Sequence, residues 1–310
     1  MNRVLIIGYG SIGQRHARIL CAMKKIKKVY VFSSQKIKQT DKVLKVSGKS
    51  YLNLNVDYII ISNPSSLHLK TIKLIEENYK DKKILIEKPL FDKCHIITPK
   101  KNFYYIGYNL RFHPVIKKIK KLIYRKEIWN VEIKQQSYLP EWRKNIKYYN
   151  STTAKKSTGG GVLLELSHEL DLAMNLFGNL NPLFAINIKK SNLKINTDDI
   201  LLVTGIIPYH KNKIIFNLSS NIFSKNLKRE VIINGKNLSI IGDLVNNTIK
   251  SYINNKNSIN KYSNFNIDQM YIDQHNAILN NKSNIVCSFS EAQKVMKLIS
   301  KIKKINKRIY

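Results

Sequence analysis

The chain has 310 residues, 43% of them apolar, and carries 54 Lys and Arg against 20 Asp and Glu, a formal charge of +34. That length accommodates two domains with real cores, and no apolar run approaches the ~18 residues of a transmembrane helix, which excludes a helical membrane protein. The charge taken alone would suggest nucleic acid or an anionic surface; the lysines, however, are scattered through the whole chain among abundant Asn and Ile. That distribution is a compositional bias and argues against a nucleic-acid partner.

Val4-Leu5-Ile6-Ile7 runs straight into Gly8-Tyr9-Gly10-Ser11-Ile12-Gly13, and Ile12, His16, Ile19/Leu20 and Met23 follow at helical spacing. Strand, glycine turn and helix are the frame in which Gly-x-Gly-x-x-Gly binds a dinucleotide. Gly8 serves the tight turn, Gly10 the approach of a pyrophosphate and Gly13 the packing of helix on strand. The helix N-terminus, at Ser11 and Ile12, presents N–H groups to the phosphates.

Through residue 110, short apolar runs alternate with helical patterns, the signature of βαβ units and a parallel sheet. Residues 29–32 are the second strand. An acidic residue at its end would bind the ribose of NAD. Here Ser33-Ser34-Gln35-Lys36 follows, hydroxyls and a lysine that suit a 2′-phosphate, so NAD and NADP are both candidate cofactors. Residues 56–62 are a buried strand ending in Asn63-Pro64-Ser65-Ser66-Leu67-His68, a turn and helix start. Residues 84–86 are the next strand, with Glu87-Lys88-Pro89 at its carboxyl end, where ligands bind in such sheets. Residues 103–107 form a further strand. Tyr108-Asn109-Leu110-Arg111-Phe112-His113-Pro114 and a helix follow it, and the domain boundary is placed at residue 113.

The second half changes character. Residues 128–139 read as a long strand, followed by Tyr138-Leu139-Pro140-Glu141-Trp142-Arg143, then Lys155 and Gly159-Gly160-Gly161. Residues 162–177 read as one helix stopped by Gly178. Runs at 184–188, 201–207, 213–218, 230–233 and 238–241 suggest a mostly antiparallel sheet, and the Asn-rich stretch 254–266 a mobile loop. Two helices end the chain, the last opened by the capping box Ser288-x-x-Glu291. Cys21, Cys94 and Cys287 lie far apart without metal or redox spacing, as free thiols of a reducing cytoplasm would. The short apolar run before Gly8 is not a signal peptide. His113 and His275 have no partner at metal-ligand spacing; His16 and Cys21 read as helix packing.

These pieces together, Gly8–Gly13, Asn63-Pro64 with His68, Glu87-Lys88-Pro89, Gly107-Tyr108 through Arg111 and Pro114, and Gly159-Gly160-Gly161 through Asp171, resemble the glucose–fructose oxidoreductase and inositol dehydrogenase (Gfo/Idh/MocA) family in content and order. The 138–143 run is similar to oxidoreductases of bacterial surface-sugar biosynthesis. The resemblance implies an α/β fold in two parts. Residues 1–113 would be a Rossmann domain with a doubly wound parallel sheet, and residues 114–310 an α/β domain whose open, mostly antiparallel sheet makes homodimers or homotetramers. It implies NAD(P) held by the glycine turn, Ser33, Ser34, Asn63, Pro64 and His68, with the nicotinamide over Glu87, Lys88 and Pro89. It also gives Lys88 the reacting sugar hydroxyl and His168 the acid/base role. Two departures stand out: Glu165 lies three residues before His168 where many members have Asp four before, and only a short stretch with Pro99 separates Pro89 from Phe103. The helix usual there is expected to be truncated or absent.

Oxidising an alcohol requires the hydroxyl proton to leave with the hydride, which suits a histidine base. Glu165 would orient His168 on one helix face, and Lys88 would hydrogen-bond the developing alkoxide. Asn109, Arg111, Trp142, Arg143 and Lys155 are candidate substrate contacts: Trp stacks on sugar C–H groups, and Arg clamps phosphate or carboxylate. The expected function is an NAD(P)-dependent sugar or nucleotide-sugar dehydrogenase. The alternative is a non-catalytic dinucleotide sensor, against which the retention of Lys88, Glu165 and His168 argues.

Overall fold

A computed structural model describes residues 1–143 and 147–306. Its first strand, β1 (Asn2–Ile7), is buried from Val4 to Ile7. A parallel strand covered on both faces is apolar at successive positions rather than alternating, which is why Val4-Leu5-Ile6-Ile7 is unbroken. The chain continues through α1 (Ser11–Ala22), β2 (Ile26–Phe32), β3 (Val43–Val46), β4 (Tyr58–Ile61), α2 (Ser65–Asn78), β5 (Lys83–Ile86) and β6 (Phe103–Ile106). These strands are all parallel, in the order β6-β5-β4-β1-β2-β3. The order reverses between β1 and β4, and the crevice at the carboxyl ends of strands at such a switch point is where α/β sheets take ligands.

The β5–β6 crossover, residues 87–102, contains no helix. The carboxylate of Glu76 on α2 organises it instead. It accepts hydrogen bonds from the backbone N–H of Lys100 (2.8 Å) and Lys101 (3.0 Å), from Asn102 Nδ2 (2.8 Å) and from the Tyr104 hydroxyl (2.9 Å). Partial burial pushes this carboxyl up, but the four donors outweigh it and hold it below the ordinary value. A carboxyl depressed in the folded state stabilises above its unfolded pKa and loses that contribution as pH falls through the folded value. Glu76→Ala should therefore cost roughly 1–3 kcal/mol at neutral pH, and the gap to wild type should close as pH drops below about 4. Urea midpoints measured across pH check this; a gap independent of pH would show that the charge is not what matters.

The second half contains α3 (Pro114–Leu122), β7 (Ile128–Tyr138), α4 (Val162–Glu165), α5 (Ser167–Phe177), β8 (Asn181–Ile188), β9 (Ile200–Tyr209), β10 (Asn212–Asn221), β11 (Phe223–Gly235), β12 (Leu238–Asp243), β13 (Thr248–Ile253) and β14 (Lys256–Lys261). They build an eight-stranded sheet, β14-β13-β12-β11-β7-β10-β9-β8, antiparallel except for the β7–β10 pair. One face is core, with Val131, Ile133, Val203, Phe216, Leu218 and Val231 buried. A Cβ on Gly242 of β12 would lie 2.7 Å from Ile119 Cδ1, so α3 rests directly on that strand. The other face carries the in-register row Phe184, Thr204, Asn217, Glu132, Ile232, Ile241, Lys250 and Ile259. Phe184, Ile241 and Ile259 are exposed there.

The expected mobile loop at 254–266 is a correction. Asn254 and Asn255 both have positive φ (49° and 62°) and turn β13 into β14. Two left-handed residues make the turn whose twist matches a hairpin, and Asn tolerates that conformation best after Gly. The Asn-Asn pair was the available signal.

Residues 266–293 then return to the first unit, so the chain divides as Met1–Asn109 with Asn266–Gln293, and Leu110–Phe265 with Lys294–Tyr310. This differs from a single boundary at residue 113. Helix α6 (Asp268–Leu279) packs on α1, and β15 (Cys287–Ser288) pairs antiparallel with β6. Helix α7 (Phe289–Ile305) opens with the expected capping box: Ser288 N donates to Glu291 Oε2 (2.8 Å) and Glu291 N to Ser288 Oγ (3.3 Å). Phe289 meets Phe91 and Tyr104 edge-on, and Gln293 Nε2 donates to Ile97 O (2.7 Å). The start of α7 thus braces the crossover that has no helix of its own.

Candidate active site

The three glycines after β1 are required for different reasons. Gly8 has φ +99°, and a Cβ there would lie 2.5 Å from Asn63 N. A Cβ on Gly13 would overlap Gly8 O. Both are demanded by the protein itself. Gly10 is not: its φ is −66°, and a Cβ on it would meet nothing within 4 Å. It caps α1 without a side-chain hydrogen bond, so the N–H groups of exposed Ser11, of Ile12 and of Gly13 lead the helix, whose first turn holds no acidic residue. An uncapped helix start with space above a glycine fits a pyrophosphate.

Gly10→Val should therefore leave the fold intact and abolish dinucleotide binding, because its Cβ would meet no protein atom while the branched side chain fills the space above the helix start. Calorimetry on the folded variant checks it, and wild-type affinity would remove the glycine turn from the binding site.

Ser33 and Ser34 end β2. Ser33 Oγ accepts from Gln35 N (3.2 Å), Ser34 is exposed, and Phe32 stacks on Tyr51 with ring centroids 3.9 Å apart. Asn63 and Pro64 end β4. Asn63 Nδ2 donates to Thr71 Oγ1 (2.9 Å), while its Oδ1 is buried without a hydrogen-bond partner among the described residues. His68 does not face a ligand as expected. It is 1% exposed, and its ring nitrogens contact Leu90 O (3.1 Å) and Asn63 O (3.0 Å). Burial pushes its pKa down against the pull of those carbonyls, and its part is to tie the loops after β4 and β5 together.

Glu87 is likewise turned inward. Its Oε1 lies 3.0 Å from His16 Nε2, and a Cβ on Gly107 would come 2.8 Å from the same oxygen. Lys88 is half-buried at the carboxyl end of β5 and precedes Pro89 through a cis peptide. Asn109 is buried, with its side chain on the Tyr271 hydroxyl.

In the second unit, Gly159 (φ +78°), Gly160 and Gly161 (φ +105°) make room for two neighbours. A Cβ on Gly160 would overlap the carbonyls of Thr152 and Thr153, and one on Gly161 the Asp198 carboxylate. Asp198 in turn caps α4: its Oδ2 accepts from Leu163 N (2.9 Å) and its carbonyl from Val162 N (3.0 Å).

The single helix expected over 162–177 is two helices, broken at Leu166 (φ −98°, ψ 25°). Glu165 ends one and His168 begins the next, so a shared helix face does not pair them. Glu165 Oε1 accepts from Thr153 Oγ1 at 2.8 Å, and His168 is half-buried in the first turn of α5.

Arg111 was expected at substrate, but its side chain is 3% exposed and grips Asp171 with both arms, Nε to Oδ2 at 3.0 Å and Nη2 to Oδ1 at 2.6 Å. A bidentate buried pair of this kind is structural. Arg229 holds Glu169 through one oxygen, with Nε at 2.8 Å and Nη2 at 2.6 Å both from Oε1. Trp142 and Arg143 do come together: with Leu139, Tyr148, Ser151 and Thr153 they line one narrow cleft, and Thr153 carries it to Glu165. Lys155 is exposed and outside that cleft. His113 accepts from Val115 N at the start of α3 (3.3 Å), and burial pushes its pKa down to about 4, which removes it as a base regulated near neutrality.

Sequence reasoning missed the histidines behind Glu87. His16 Nδ1 lies 3.0 Å from His275 Nε2, and His275 Nδ1 lies 3.0 Å from the Tyr58 hydroxyl. His16 and His275 are 259 residues apart in the chain, and no local pattern links them.

A parallel sheet with a glycine-turn cradle at its switch point, followed by a unit built on a large open sheet, defines a dinucleotide-binding α/β protein. Residues 2–97 match the family model described as "Oxidoreductase family, NAD-binding Rossmann fold", and residues 120–304 that described as "Oxidoreductase family, C-terminal alpha/beta domain". The chain belongs to this Gfo/Idh/MocA oxidoreductase family. It is 27% identical over 195 residues to "Uncharacterized oxidoreductase YrbE" of Bacillus subtilis (strain 168), a match covering 56% of this chain and 53% of that one. The chain thus spans about half the length of the curated relative it matches. Among solved structures it shares the fold of a levoglucosan dehydrogenase in complex with NADH (TM-score 0.80, 14% identity, 98% of this chain and 96% of that one). It also shares that of UDP-N-acetylglucosamine 3-dehydrogenase GnnA from Acidithiobacillus ferrooxidans (0.73, 17%, 98% and 97%). A super-repressor mutant of Gal80p from Saccharomyces cerevisiae has the same fold (0.77, 14%, 98% and 95%).

Proposed function

We propose that the protein is an NAD(P)-dependent dehydrogenase or reductase acting on a CH–OH group of a sugar or nucleotide sugar, in the cytoplasmic synthesis of surface polysaccharide or another glycan. The observation that carries the reading is Lys88: a half-buried amine at the carboxyl end of β5, in the same sheet as the Gly10 cradle. The nicotinamide, when bound, supplies the hydride acceptor. Lys88 donates a hydrogen bond to the reacting oxygen and stabilises its developing negative charge. His168 takes the hydroxyl proton on a ring nitrogen. Glu165, fixed by Thr153, sets the electrostatics around it. The cleft of Trp142, Arg143 and Tyr148 suits the rest of the substrate, with C–H groups on the indole face and an anionic substituent on the guanidinium. Residues Phe184, Ile215, Ile241 and Ile259 on the uncovered sheet face support a homodimer or homotetramer.

Mass spectrometry of gently purified protein identifies the nucleotide carried. A panel of nucleotide sugars followed by nicotinamide absorbance then identifies the substrate. Tight dinucleotide binding with no turnover of any sugar would instead favour a non-catalytic sensor; a super-repressor mutant of Gal80p has the same fold.

A further inference from the structure

The first unit contains a buried chain of titratable side chains for which hydride transfer has no direct use. Tyr58 on β4, His275 on α6, His16 on α1 and Glu87 after β5 follow one another at 3.0 Å per link. Tyr58, His275 and His16 are 0% exposed, and Glu87 is 8% exposed.

The protons on this chain can be counted. Burial pushes the His275 pKa well down and the Tyr58 pKa well up, so both are neutral. Tyr58 has no other hydrogen-bond partner among the described residues, so its hydroxyl must donate to His275 Nδ1 or be left buried and unsatisfied. His275 then carries its proton on Nε2 and donates to His16 Nδ1. His16 in turn carries its proton on Nε2 and donates to Glu87 Oε1. In this direction every donor on the chain is used, and the row of dipoles ends on Glu87. The reverse direction would strand the Tyr58 hydroxyl and require either an imidazolium at His16 or a protonated Glu87.

We propose that His16 is a positioning residue: as the last donor of this one-way chain it anchors the Glu87 carboxylate, and with it the backbone that presents Lys88. Glu87 is pinned on three sides. Its N–H donates to Ile61 O (2.8 Å), its carboxylate accepts from His16, and Gly107 packs against the same carboxylate. Lys88 is the next residue, so its Cα has little freedom left. Helix α6, more than 150 residues further along the chain, thereby takes part in fixing the end of β5. The role assigned to Lys88 rests on the function proposed above; the direction of the chain does not.

The test uses the full chain labelled with ¹⁵N-histidine. Spectra of the ring nitrogens at neutral pH should show His16 and His275 both as neutral Nε2–H tautomers, assigned by the single variants. His16→Gln keeps an N–H donor at the position of Nε2, whereas His16→Leu removes it. The Leu variant should lose roughly 10–100-fold in kcat, with unchanged dinucleotide affinity, and Lys88 acetylation by acetic anhydride should change rate several-fold, followed on the Lys88 peptide. The Gln variant should stay close to wild type in both. A His16 imidazolium or Nδ1–H tautomer would overturn the proposal, and so would equal effects of Gln and Leu. Should wild type turn over no sugar, the dehydrogenase reading fails by itself, while the tautomers and the Lys88 labelling rates still decide the positioning role.

Discussion

Replacing His168 with Asn is expected to lower turnover roughly 10²–10⁴-fold and to remove the acid limb of the pH profile for alcohol oxidation. The base must be unprotonated to accept the hydroxyl proton, so wild-type oxidation should fall as pH drops through the imidazole range, roughly pH 6–7. A carboxylate beside an imidazole favours its protonated form, so if Glu165 acts on His168, Glu165→Gln should move the limb to lower pH. The break at Leu166 places the two residues on separate helices, so the size of that displacement reports on through-space charge rather than on a shared helix face. Dinucleotide affinity should be unchanged, because the glycine turn and His168 belong to different units. Turnover measured across pH for the three proteins decides the assignment. An acid limb persisting at wild-type rate in His168→Asn would give the role to another group.

Lys88→Met is expected to reduce turnover on the order of 10²-fold or more while leaving dinucleotide affinity nearly intact. Met keeps most of the length and apolar character of the lysine stem, so half-buried packing at the end of β5 survives and only the charged donor is lost. A hydrogen bond that strengthens as the alkoxide forms acts on the transition state, so the loss should appear in kcat more than in KM. Unchanged turnover would reduce Lys88 to one more solvated lysine in a lysine-rich chain.

The two variants probe different units, and their effects should be separable from that of Gly10→Val, which acts on binding. A protein that binds dinucleotide, loses it on Gly10→Val and is indifferent to both Lys88→Met and His168→Asn would be a sensor. The Arg111–Asp171 and Arg229–Glu169 pairs belong to neither test. They bury charge within the second unit, and removing one partner would cost stability before it could report on chemistry.

What could be read from the amino-acid order is what depends on neighbours in the chain. The run Val4–Ile7, the spacing of Gly8, Gly10 and Gly13, and the capping box at Ser288 and Glu291 are all local, and local sterics and hydrogen bonding specify them. Where the local signal is ambiguous, tertiary packing decided. Residues 162–177 have helical periodicity throughout, yet the chain breaks at Leu166. Asn254 and Asn255 read as loop polarity until their positive φ values made a hairpin of them.

The long-range charges and hydrogen bonds were not legible at all. Arg111 looked like a clamp for an anionic substrate, and the anion it grips is Asp171 of its own unit. His16 looked like packing, and it stands between Glu87 and a histidine 259 residues away. Most buried polar groups find a partner wherever the fold supplies one, because leaving them unsatisfied is costly. The sequence by itself therefore determined the apolar strands around the glycine turn, the glycine cradle and the position of Lys88 at a strand end, but not β3, β13, β14 or β15. Only the folded chain decided which charged residues, such as Arg111 and His16, are spent on partners within the protein.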